Sequence, residues 1–109
     1  MAQRRSYSPL TVEAAGLLGA RVRLARRERG WTLEELADRV GVSHPTMRKV
    51  ERGDPSVGLG VAFEAAVVAG VPLFHEDRGR LQLESRNVED RLAMLPQLVR
   101  KPAEVDDDF

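Results

Sequence analysis

Thr32-Leu33-Glu34-Glu35-Leu36-Ala37-Asp38-Arg39-Val40-Gly41-Val42-Ser43-His44-Pro45-Thr46-Met47-Arg48-Lys49-Val50-Glu51-Arg52-Gly53 is the stretch on which the fold turns. Its first four residues are a capping box. The Thr32 hydroxyl can accept from the amide of Glu35, and the Glu35 carboxylate can return to the amide of Thr32, so a helix starts here. Leu33, Leu36, Ala37 and Val40 share one face of that helix, and Gly41 ends it after about eight residues. A second helix follows at once. Ser43 is a good N-cap, Pro45 is tolerated because amides of a first turn have no intrahelical acceptor, Met47 and Val50 point inward, and Gly53 closes. Two short helices joined by a tight glycine turn form a helix-turn-helix unit, whose second helix can enter the major groove of DNA. Helix pairs of this kind also occur in bundles that bind no nucleic acid.

Working outward, residues 1–9 are polar and include Pro9, which reads as a flexible arm. From about Val12 to Arg29 no proline interrupts, and Ala14, Leu18, Val22 and Ala25 recur at helical spacing until Gly30 stops the helix. Leu10, Leu17, Leu24 and Trp31 repeat every seven residues on a second stripe, a candidate for packing on the C-terminal segment or on a sister subunit. After Asp54-Pro55, Ser56 reads as the cap of a fourth helix running to Ala69, with Gly58 and Gly60 allowing close approach of a neighbour. Gly70 stops it, and Val71-Pro72-Leu73-Phe74 begins a short fifth element.

Beyond Phe74 the periodicity is ambiguous. Phe74, Leu81, Val88 and Leu95 are seven apart, which favours helix, yet Arg80-Leu81-Gln82-Leu83-Glu84 alternates as a strand does. The reading favoured is two short helices with a break near Ser85 to Asn87, the second capped by Asn87 and ended by Pro96. A strand that pairs across a dimer axis stays open. From Val99 the sequence has too few apolar residues to pack and is expected to be mobile when free. The organisation read from the sequence is thus an arm at 1–9, a DNA-binding domain at 10–76, a C-terminal extension at 77–98 that is a candidate for dimerisation, and an acidic tail at 99–109. The fold class is all-α.

The chain has 109 residues, enough for one small domain and too few for a doubly wound enzyme or a barrel. Its zero net charge hides an asymmetry: residues 1–53 hold eleven Lys or Arg against six acids, a charge of +5, and residues 54–109 hold six against eleven, a charge of −5. A basic first half suits a polyanion and an acidic second half suits another partner, although a merely solvated surface sorts its charges this way too. There is no cysteine, and the only histidines are His44 and His75, so a zinc site has almost no ligands to draw on. Gly58 and Gly60 do not complete a phosphate-binding loop, since no strand precedes them and no lysine accompanies them. The sequence therefore argues against an enzyme and implies no metal and no cofactor. No apolar run reaches the roughly 18 residues of a membrane span and no signal peptide opens the chain, so the expected location is the cytoplasm.

The run from Leu18 to about Phe74, and most of all Gly41-Val42-Ser43 through Val50-Glu51-Arg52-Gly53, resembles the Cro/C1-type (Xre) helix-turn-helix domain. The resemblance implies a compact five-helix lambda-repressor-like fold and sequence-specific binding of double-stranded DNA. His44, Pro45 and Lys49 match the family's base-facing positions. Lys49 can donate to guanine O6 and N7, His44 can donate or accept, and Pro45 offers only an apolar edge where a polar residue is commoner. Thr46, Arg48 and Arg52 lie toward the flanks and suit phosphates. Ser43 is set with them, and Thr32 with the free amides at the start of its helix offers another phosphate site. The resemblance also implies a structural ion pair between Arg26 and Glu51, with a phosphate contact by Arg26 as the alternative. Within that group, Gly53-Asp54-Pro55-Ser56-Val57-Gly58-Leu59-Gly60 and the acidic end resemble HipB-like antitoxins encoded beside HipA-like kinase toxins. This implies an autorepressor that binds an inverted-repeat operator as a homodimer and also holds a kinase toxin, with Asp106, Asp107, Asp108 and Phe109 as its hook. A stand-alone repressor with no toxin and a non-DNA-binding interaction module are the alternatives.

Overall fold

The computed structural model describes residues 6–96, which hold five helices and no strand. They are α1 (Pro9–Glu28), α2 (Leu33–Val40), α3 (His44–Arg52), α4 (Leu59–Ala69) and α5 (Arg78–Met94). The chain divides into two units between Leu73 and Phe74, so that α1–α4 form the first and α5 belongs to the second.

Local chemistry sets the helix ends. Pro9 is the first helical residue rather than part of an arm, because its fixed φ suits a first turn and its missing N–H leaves nothing unsatisfied there. Both arms of the capping box form at α2: the Glu35 amide donates to Thr32 Oγ1 at 3.0 Å, and the Thr32 amide donates to Glu35 Oε1 at 2.8 Å. Gly41 then adopts φ 88°, which a side chain would strain, and its own amide and that of Val42 both donate to the Ala37 carbonyl. This closure lets α3 begin only three residues after α2 ends. At its start the Thr46 amide donates to Ser43 Oγ at 3.2 Å.

The core of the first unit takes Val22 from α1, Leu36 and Ala37 from α2, Met47 and Val50 from α3, Ala65, Ala66 and Ala69 from α4, and Val71 after it. Three alanines on α4 let its backbone approach α1 and α2 where larger side chains would hold it away. Burying Leu36, Met47 and Val22 completely stabilises the unit by about 1.5–3 kcal/mol each.

Several expectations change. Ser56 does not cap α4, because its hydroxyl donates to Asp54 Oδ1 at 2.7 Å and its amide to the same oxygen at 2.9 Å; Gly58 takes the cap position instead. These two bonds, the amide's first, lower the Asp54 pKa, so the turn they close persists above the usual carboxylate range and is lost only as pH falls through the lowered value. Gly58 and Gly60 have open space around them among the described residues. The close approach is elsewhere: a Cβ on Gly19 would lie 2.5 Å from the Val50 carbonyl oxygen, and one on Gly53 would lie 2.5 Å from Gly16 Cα. Helix α1 thus touches the last turn of α3 backbone to backbone. Gly19→Ala is accordingly expected to destabilise the protein by about 1–3 kcal/mol in urea unfolding. Gly60→Ala, with space to fill and better helix propensity, should be neutral or stabilising.

Ala14 is exposed, so it does not keep the place given it on the α1 stripe. No helix begins at Val71-Pro72-Leu73-Phe74; Pro72 cannot donate to a helix and Phe74 has a left-handed φ of 66°. In the second unit, α5 is one helix without a break at Ser85 to Asn87. Asp77 caps it by accepting from the Gly79 amide at 2.9 Å, and from Arg80 to Leu95 there is neither glycine nor proline to interrupt it. Serine and asparagine inside a helix cost only tenths of a kcal/mol beside the leucines, glutamates and arginines around them. The strand alternation from Arg80 to Glu84 is too short to compete. No helix of the described residues is long and apolar enough to cross a membrane.

Candidate nucleic-acid interface

Helix α3 has two opposite sides. Met47, Val50 and Glu51 are buried, whereas Pro45, Arg48, Lys49 and Arg52 share an exposed face. His44 and Thr46 are half-buried at its first turn. What holds this face outward is an ion pair behind it. Arg26 Nε donates to Glu51 Oε2 at 2.6 Å and Arg26 Nη2 donates to Glu51 Oε1 at 3.0 Å, a two-pronged contact with both side chains nearly excluded from solvent. The third nitrogen, Nη1, donates to the Trp31 carbonyl at 2.8 Å. One guanidinium therefore ties the end of α1, the turn into α2 and the last turn of α3. The hydrogen bond to Glu51 raises the Arg26 pKa above its ordinary value and outweighs the burial that lowers it, so the guanidinium stays charged.

The hydroxyls expected at phosphates are first of all engaged in capping. Thr32 Oγ1 accepts from Glu35, and Ser43 Oγ accepts from the Thr46 amide while donating to Thr46 Oγ1 at 2.9 Å. Accepting at a cap leaves the Thr32 proton, and receiving from Ser43 leaves the Thr46 proton, available to a phosphate oxygen. Asp38 on α2 stands 3.3 Å from His44 Nε2 and restrains the imidazole ahead of any base contact. Arg52 lies 3.8 Å from Asp54, too loosely held to be withdrawn from solvent.

Arg23 and Arg27, exposed on α1, join Arg48 and Arg52 around a cleft of about 380 Å³ with the Arg26–Glu51 pair in its floor. Their spacing of four, flanking the paired Arg26, was the available signal. Their juxtaposition with α3 needed the fold. Trp31, meanwhile, has the Arg39 guanidinium 4.1 Å and that of Arg29 5.2 Å from its ring centre, a cation-π stack at the α1–α2 turn. Asp106, Asp107, Asp108 and Phe109, named for a partner, lie outside the described residues.

Residues 17–81, more than half of the chain, match the family model described as helix-turn-helix domain. The chain belongs to the helix-turn-helix domain family. Comparisons with curated proteins and with solved structures return no match. The matched span takes in all of α2, α3 and α4, and for this helix-turn-helix domain the implied partner is DNA; the match supports the likeness to Xre-type regulators.

Proposed function

We propose that this helix-turn-helix protein is a sequence-specific transcriptional repressor that lays α3 in the major groove of an inverted-repeat operator as a homodimer. The observation that carries it is the two-sided α3: Met47, Val50 and the Arg26–Glu51 pair anchor one side, and Pro45, Arg48, Lys49 and Arg52 face solvent on the other. In this reading His44, Pro45 and Lys49 meet base edges. Thr32, Ser43, Thr46, Arg48 and Arg52 hold phosphates, and Arg23 and Arg27 extend that contact along the cleft.

Two recognition helices related by a twofold axis need half-sites about ten base pairs apart or a multiple of that. Selecting binding sites from a random duplex library tests the proposal: an inverted repeat with that spacing supports it, and recovery of sequences with no common half-site contradicts it. The acidic second half and the likeness of residues 53–60 to HipB-like antitoxins favour a further role, with a HipA-like kinase toxin held by the acidic end of the chain at Asp106 to Phe109. Co-expression with the neighbouring gene tests this role. A stable complex that survives removal of residues 102–109 would count against the tail as the contact.

A further inference from the structure

Helix α5 carries no buried residue, although four positions align on one of its faces: Leu81, Ser85, Val88 and Leu92, in alternating steps of four and three. Those steps keep all four within a narrow arc of the helix, the seam of a two-helix coiled coil. Val88 is 48% exposed and Leu92 is 56% exposed. Glu84 and Arg91 border the seam on one side, Gln82 and Glu89 on the other.

From this pattern we infer that α5 is a homodimerisation helix, pairing antiparallel with α5 of a second copy about a twofold axis that passes between Arg86 and Asn87. The charges choose the direction. In a parallel pair Glu84 meets the partner's Glu89 on both sides, a like-charge contact made twice. In the antiparallel pair that overlaps the helix over its whole length, Glu84 meets the partner's Arg91 and Arg91 meets the partner's Glu84. Gln82 then meets the partner's Glu89, a neutral donor beside a carboxylate. Shifting the antiparallel pair by one heptad toward the C-terminus brings Arg91 against the partner's Arg91. The register that satisfies the charges is thus the one that overlaps the two helices over their whole length.

In that register Leu81 packs against the partner's Leu92 and Ser85 against the partner's Val88. The small Ser85 side chain matches a hollow of about 280 Å³ on this face, lined by Phe74, Leu81, Glu84, Ser85, Val88 and Glu89. A β-branched valine opposite a serine is the size complement that such a seam needs. Glu84 Oε2 lies 3.2 Å from His75 Nε2, and the carboxylate has a second oxygen for the partner's arginine. The inference deepens the dimer reading given above, but its test does not depend on DNA.

Sedimentation equilibrium of the full chain decides it. Wild type is expected to be a dimer that dissociates on dilution. Glu84→Arg alone and Arg91→Glu alone each replace two attractive contacts by two repulsive ones and should weaken the dimer by roughly tenfold. The double variant, in which every pair is restored with its signs exchanged, should return most of that loss. Leu92→Asp, at a position exposed in the single chain, should give a monomer whose circular dichroism is unchanged, while Leu17→Asp on α1 should leave the dimer intact. A wild type that stays monomeric at every concentration overturns the inference. So does a dimer unaffected by Leu92→Asp, or a double variant no better than the singles. DNA binding by such a monomer to a half-site would leave the reading of DNA by α3 standing and remove only the dimer from the functional proposal.

Discussion

Arg26→Ala is expected to destabilise the first unit by about 3–5 kcal/mol, because it leaves the Glu51 carboxylate buried without its counter-charge. That is a large share of the roughly 5–15 kcal/mol that holds a domain folded. The variant should therefore fail to bind DNA by losing structure, with no change in the surface that touches it. Arg26→Lys keeps the charge and loses the fork and the bond to the Trp31 carbonyl, so it should fall between wild type and alanine. Replacing both partners with apolar residues of similar volume removes the buried charges together and should cost far less than either single change. Urea unfolding of the four proteins gives the order. Equal stability of Arg26→Ala and wild type would show that the pair does not fix α3.

Raising salt from about 50 to about 200 mM should lower operator affinity on the order of a thousandfold if about six phosphates are contacted, because each neutralised phosphate releases bound counterions. The basis is the basic first half of the chain and the convergence of Arg23, Arg27, Arg48 and Arg52 on one cleft. Arg23→Ala and Arg27→Ala should each weaken all sequences alike and reduce the slope of log affinity against log salt by about one. A slope unchanged in both variants would place the cleft away from the phosphate backbone.

What could be seen beforehand was local. The capping box at Thr32 and Glu35, the left-handed Gly41 and the Ser43 cap are each decided within four residues, and the structure forms all three. The alternation of buried and exposed positions along α3 follows from the helical period, and its four most exposed residues are readable from Met47 and Val50 facing the core. What failed was decided at a distance. A glycine tolerates close approach anywhere, so its sequence context does not tell whether a neighbour arrives. Gly58 and Gly60 were assigned that part, which belongs to Gly19 and Gly53. Ser56 has a cap's hydroxyl, yet Asp54 two residues earlier captures it first. The break expected at Ser85 to Asn87 weighed two poor helix formers too heavily against the leucines, glutamates and arginines around them. Asp38 beside His44, and Arg23 and Arg27 beside Arg48, are tertiary neighbours whose juxtaposition only the fold reveals.

The most direct test of α3 as the reading helix is to titrate wild type and Lys49→Ala against the selected operator and against random duplex at one salt concentration. Lys49 is exposed on α3 and the helix is held from behind, so the substitution should leave folding unchanged. If Lys49 donates to a guanine, the operator affinity should fall by about 1–3 kcal/mol, preference at that base pair should relax, and random-DNA affinity should fall much less. Loss of operator and random affinity by one common factor would instead make Lys49 a phosphate contact and contradict the reading of bases by this face.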